Sequence, residues 1–148
     1  MLSRFAVLLM LAGGYADAAL AQGEGWWKRA KIDYLLHCSG CHGQDGRGLA
    51  SKGIPALQDQ VGYLLRADVG RAFVMQVPGL LSAGMPDERA ADVTNYIILR
   101  FAGSSMPDKF SRYDANEAKR YRESRPANIP EIRRLLAAQL NAAGFPIQ

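Results

Sequence analysis

The sequence predicts an all-α protein. Three observations carry this: a helical pattern over residues 24–36, two short apolar helical segments at 58–65 and 67–77, and a long amphipathic stretch opened by Pro86 and stopped at Gly103. In the first stretch Trp27, Ala30, Tyr34 and Cys38 fall at the i, i+3, i+7, i+11 spacing of one helix face, with Lys28, Arg29 and Asp33 expected away from it. Trp26 and Trp27 read as ordinary packing with one ring partly exposed.

This first helix leads into Cys38-Ser39-Gly40-Cys41-His42. A Cys-x-x-Cys pair followed at once by His is the attachment pattern of c-type haem. Two thiols about one helical turn apart can each add to a vinyl group on one haem edge, and the next imidazole can then reach the iron. Cys38 and Cys41 are therefore the expected thioether positions of a single haem c, and His42 the expected proximal ligand.

Three other chemistries compete for the motif. A thioredoxin-like redox pair calls for a βαβ setting, whereas the flanks read as helix and Gly-rich loop. A zinc site calls for four separated N or S ligands, and His37, Cys38, Cys41 and His42 are too close in sequence to close one tetrahedron easily. A structural disulfide leaves His42 without a role.

After the motif, Gly43, Gly46 and Gly48 mark tight turns and close backbone approach. In Gly53-Ile54-Pro55 the Pro55 carbonyl is the candidate to accept the second ring N–H of His42 and fix its orientation. A plain loop proline is the competing reading. Leu64, Leu65, Phe73, Val74 and Val77 are candidate walls of a haem pocket. Pro78-Gly79 and Ala83-Gly84 are expected to break the chain.

A second axial ligand must come from elsewhere, because His37 cannot reach an iron already held by His42 from the same segment. Thioether sulfur suits haem iron and raises its potential. Met75, Met85 and Met106 are the candidates. Met75 lies in an apolar helical pattern, where methionine is normally core filler. Met85-Pro86-Asp87 and Met106-Pro107-Asp108 share their letters, but only the first precedes a well-formed helix, with Asp87 and Glu88 in its first turn and Val93, Tyr96, Ile97 and Phe101 on one face. That favours Met85 and leaves the other two open.

At this point the chain resembles a class I (mitochondrial-type and bacterial) monohaem cytochrome c over residues 24–101. The resemblance rests on Cys38-Ser39-Gly40-Cys41-His42-Gly43, Asp45-Gly46, Gly48, Pro55, Met85-Pro86 and Asn95-Tyr96-Ile97. It implies a small haem domain whose first and last helices cross near Tyr34 and Tyr96, with one haem edge exposed. It also implies an axial pair of His42 and Met85, with His42 held by the Pro55 carbonyl.

The expected organisation is a secretory signal (1–21), a haem domain (22–103) and a C-terminal extension (104–148). Arg4 followed by an apolar run and Ala19-Leu20-Ala21 gives the signal pattern, with cleavage after Ala21 and periplasmic export. The run is too short for a membrane span. The extension interleaves charges such as Lys109, Arg112, Asp114 and Glu117, and reads as a solvated, partly helical strap. Pro130 then opens an amphipathic helix (131–141) with Ile132, Leu135, Leu136 and Leu140 on its apolar face, which packs home or docks on another protein.

A formal charge of +4 falls short of the concentrated basic stripe of a nucleic-acid binder. The ligand set points to a one-electron carrier between a dehydrogenase and an oxidase or another cytochrome, not to an enzyme. Two alternatives remain: a haem protein with an open or labile sixth site, ligand-binding or peroxidase-like, and a dedicated subunit of a periplasmic dehydrogenase. Arg47 and Lys52 are candidates to steer acidic partners.

Overall fold

The computed structural model describes residues 13–147, with side chains from residue 25 onward. Its helices are α1 (Gly13–His37), α2 (Ser39–His42), α3 (Val61–Leu64), α4 (Gly70–Gln76), α5 (Pro78–Ser82), α6 (Asp87–Phe101), α7 (Ala115–Glu123) and α8 (Ile129–Ala142). Single 3-10 turns lie at Ala50–Lys52 and Gly103–Ser105. Among the described residues the β-structure is one isolated bridge between Leu49 and Ile54, so the protein is all-α as expected. The positive start and the whole apolar run (5–12) of the expected signal lie outside the described residues, and α1 continues unbroken across Ala21. No helix among the described residues is long and apolar enough to cross a membrane.

The long helices α1 and α6 form the frame. Ala30 and Tyr34 of α1 and Val93, Tyr96 and Phe101 of α6 are buried in one core. The rings of Tyr34 and Tyr96 stand 5.8 Å apart, those of Tyr34 and Phe101 5.0 Å, and those of Trp27 and Tyr96 4.7 Å. Offset and tilted aromatic pairs of this kind add to the burial of their apolar area. Trp26 and Trp27 are half-buried, and the Arg112 guanidinium lies 4.8 Å from the Trp26 ring centre.

Asp33 corrects the sequence expectation. It faces the core at 1% exposure and accepts from both Nε (3.1 Å) and Nη2 of Arg89 on α6. Its position follows from helix geometry, since Asp33 is three residues after Ala30 and one before Tyr34. A buried carboxylate persists because a guanidinium across the helix pair neutralises it.

The middle helices are shorter than their apolar pattern. The backbone turns at Asp59, which adopts a left-handed φ of 56°. Its N–H donates to the Phe101 carbonyl (2.8 Å) and its carboxylate accepts from the Ser104 N–H (2.9 Å), so α3 starts only after this tie. The chain breaks at Pro78 as expected: α4 ends at Gln76 and Val77 is extended. Pro78 then opens α5, because a first helical residue needs no N–H donor and proline's fixed φ suits that position.

The segment after Gly103 is built into the same core. Asp114 caps α7 by accepting from the Glu117 N–H (2.8 Å), and Asn128 caps α8 by accepting from the Glu131 N–H (3.2 Å). Tyr113, Ala118, Ile129, Leu136, Leu140 and Ile147 are buried with the residues of α4 and α6. Leu135, expected on the apolar face of α8, is 53% exposed instead, and Ile129 takes its share of the contact.

Arg71 of α4 holds this segment by several contacts. Its guanidinium donates to both Glu117 carboxylate oxygens (2.6 and 2.7 Å) and to the Ser111 carbonyl (2.8 Å), and lies 4.0 Å from the Tyr113 ring centre. Gln76 donates to the Tyr121 carbonyl (2.9 Å), and Arg122 pairs with Asp87 at the start of α6. Of the charges expected to be solvated, Glu117 and Arg122 are structural ties, while Asp108, Lys109, Lys119, Arg120, Glu123 and Arg125 are exposed as expected.

Candidate haem site

The site begins at the end of α1. The Cys38 N–H donates to the Tyr34 carbonyl (2.9 Å), then the chain re-enters a single helical turn in which the Cys41 and His42 N–H groups donate to the Cys38 carbonyl (3.2 and 2.9 Å). That turn brings Cys38, Cys41 and His42 to one wall of a cavity of about 470 Å³, within the size range of cofactor sites. Both thiols are free.

The His42 ring is fixed from behind. Its Nδ1 lies 3.0 Å from the Pro55 carbonyl oxygen, which can only accept, so Nδ1 carries the proton and Nε2 is the basic nitrogen. Burial lowers the His42 pKa, the Pro55 hydrogen bond opposes that shift, and the nearby Arg133 charge adds to it. The balance keeps the imidazole neutral, the form that binds a metal.

The Pro55 carbonyl is itself positioned by glycine. Gly48 has a φ of 67°, and a Cβ there would stand 2.4 Å from the Pro55 oxygen. Its N–H donates to the His42 carbonyl (2.8 Å), closing the loop on the same residue. Gly48→Ala is expected to push the Pro55 carbonyl off the His42 ring. The measurement is the proton NMR spectrum of the protein, in which the His42 ring resonances should be displaced; an unchanged spectrum would contradict this role. Tyr34 closes the turn from the other side, donating its hydroxyl to the Gly43 carbonyl (2.6 Å), and burial pushes its pKa up to about 12.

Cys38 has the wrong electrostatics for thiol redox work. Burial, then the Asp33 and Cys41 charges, push the Cys38 pKa up to about 11. A reactive Cys-x-x-Cys pair needs the opposite shift.

The other walls come from three parts of the chain. Leu64 of α3 and Phe73, Val74 and Val77 of the α4 region line the cavity as expected, whereas Leu65 does not. Thr94, Ile97 and Ile98 line it from α6, and Ile129, Pro130 and Arg133 from α8. The α8 contribution escaped the sequence reading, although Pro130 and the amphipathic pattern behind it were visible. An apolar face does not name the surface that it covers.

None of the three candidate methionines lines the cavity. Met75 is fully buried, with its sulfur 3.8 Å from the Thr94 hydroxyl oxygen. Met85 is 5% exposed in the core, ahead of α6. Met106 follows the second 3-10 turn, and its carbonyl accepts from Arg66 (2.9 Å). His37 lies on the cavity rim and is exposed.

No family model matches the chain, and no solved structure matches it significantly. Cytochrome c-552 of Thermus thermophilus is 29% identical over 139 residues, covering 82% of this chain and 87% of that protein. That share of the chain is more than the residues up to Gly103 could fill, so the similarity runs into the C-terminal segment. Together with an all-helical fold, the likeness supports a cytochrome c-type protein and a haem-based electron carrier.

Proposed function

We propose that the chain is an exported one-electron carrier of the class I cytochrome c kind, holding one haem c through thioether bonds to Cys38 and Cys41. The observation that carries this reading is the wall on which Cys38, Cys41 and His42 meet, with His42 Nδ1 held by the Pro55 carbonyl. The residues fit the group: a large apolar cavity, two free thiols on one edge and one neutral imidazole beside them. When bound, haem supplies the one-electron couple; the protein sets its potential and access.

The residues of the chain divide that work. His42 offers Nε2 to the iron and is kept from rotating by Pro55. Leu64, Phe73, Val74 and Ile98 exclude water from the macrocycle, which raises the reduction potential by disfavouring the more highly charged oxidised state. Arg133 is the one arginine on the cavity lining and is half-buried, which suits it to the haem propionates. The Met85 thioether, expected as the second axial ligand, would have to turn from the core into the cavity to act.

Residues 1–21 would direct export and be removed after Ala21, leaving a periplasmic protein. Partners would be redox proteins, a dehydrogenase on one side and an oxidase or another cytochrome on the other. Ile32, Leu35 and Leu36 of α1 are exposed within two turns before the haem motif and offer an apolar docking surface there. Arg47 is already paired with Asp45 (3.1 Å), which weakens its steering role and leaves Lys52 as the better candidate. Packing of α7 and α8 onto α4 and α6 favours a self-contained carrier over a subunit that needs its tail for docking.

An anaerobic redox titration of the purified holoprotein, followed optically, tests the reading. A reversible single-electron wave with one set of isosbestic points is expected. A protein that cannot be cycled, or one that takes up electrons in pairs, would overturn it.

A further inference from the structure

We propose that the buried Asp33 carboxylate, held against α6 by Arg89, lowers the reduction potential of the haem. The inference rests on the haem reading above and deepens it, by naming a charge of this chain that tunes the couple. Asp33 lies on α1 five residues ahead of Cys38, about 7.5 Å along the helix axis.

Two observations set Asp33 apart from the other charges around the motif. The first is its burial. The Asp33 side chain is 1% exposed, whereas that of its partner Arg89 is 45% exposed. Water therefore screens the cation far more than the anion, and the pair presents a net negative field to the interior. Asp45 and Arg47, by contrast, pair with each other at the surface and are screened together. The second observation is that the field of Asp33 reaches the motif. Burial first, and the Asp33 charge next, push the Cys38 pKa up to about 11. Arg133 of α8 acts with the opposite sign, on His42, and the propionates assigned to it would offset its charge.

The direction of the effect follows from charge alone. Reduction adds one electron to the haem, so a fixed negative charge nearby favours the oxidised state. Asp33 thus opposes the apolar walls, which push the potential up. Stability gives no separate reason for a carboxylate here, because neutral replacements of a buried ion pair are often tolerated without loss.

The test uses full-length, exported holoprotein and its variants. An alkaline pyridine spectrum on denatured material first establishes covalent haem c. Midpoint potentials are then measured by optical redox titration at one pH and ionic strength. Asp33→Asn is expected to shift the one-electron equilibrium at least about threefold toward the reduced form, about 28 mV upward at 59 mV per tenfold. Arg89→Gln leaves the carboxylate without its cation and should shift the equilibrium the other way. The opposite signs separate charge from packing, since loosened packing admits water to the macrocycle and lowers the potential in both variants. Arg89→Lys keeps the cation and should keep the wild-type potential, and its contrast with Arg89→Gln decides the matter if Asp33→Asn fails to load haem. An unchanged or lowered potential in Asp33→Asn, or equal potentials in the two Arg89 variants, would overturn the inference while leaving the carrier reading intact. Absence of covalent haem from the wild-type protein would remove the parent reading, and this inference with it.

Discussion

A chain ended after Gly103 is expected to lose its cooperative fold instead of yielding a smaller haem protein. Ile129, Leu136, Leu140 and Ile147 are buried against α4 and its neighbours. Full burial of such side chains stabilises by roughly 1.5–3 kcal/mol each, a sum comparable to the ~5–15 kcal/mol that holds an ordinary domain together. The truncation also strips partners from what remains: Arg71 loses Glu117 and Ser111, Gln76 loses Tyr121, and Asn95 loses Tyr113. The cavity loses Ile129, Pro130, Arg133 and Ile147 from its lining at the same time. Far-UV circular dichroism and thermal melting of the truncated chain check this. A sharp melt with the full-length haem spectrum would show that the C-terminal segment is dispensable.

Asn95→Ala is expected to be the most damaging single polar substitution. Asn95 is 2% exposed, and its amide makes a reciprocal pair with the backbone of Tyr113: Nδ2 donates to the carbonyl (2.9 Å) and Oδ1 accepts from the N–H (2.8 Å). Alanine leaves a buried donor and a buried acceptor without partners, at about 1–3 kcal/mol each. A loss of about 2–4 kcal/mol is therefore expected, read as a lower urea midpoint at unchanged slope. Asn95→Asp buries a carboxylate oxygen against the Tyr113 carbonyl, so it should cost at least as much as alanine at neutral pH. A change under about 0.5 kcal/mol for Asn95→Ala, the size of an ordinary surface substitution, would contradict the assigned role.

The haem motif, the helix ahead of it and the long helix after Met85 were legible because each rests on local rules: fixed spacing, one apolar face, a proline start. Pro55 was legible for the same reason, as a carbonyl source near the motif. What was hidden depends on partners distant in sequence. Asp33 looks like a solvent-facing charge until Arg89, 56 residues away, is placed beside it. Asn95 carries no local sign that it clamps Tyr113. The helix after Pro130 showed an apolar face but not its target, which proved to include one side of the cavity. The methionines were the hardest case, since three letters such as Met85-Pro86-Asp87 fix a helix start and say nothing about where the sulfur points.

Everything above depends on thiols 38 and 41 carrying a macrocycle. Mass spectrometry of the purified protein, denatured and fully reduced, measures this directly. The expected mass is that of the polypeptide from Gln22 to Gln148 plus one haem. A mass equal to the bare processed polypeptide would contradict the account.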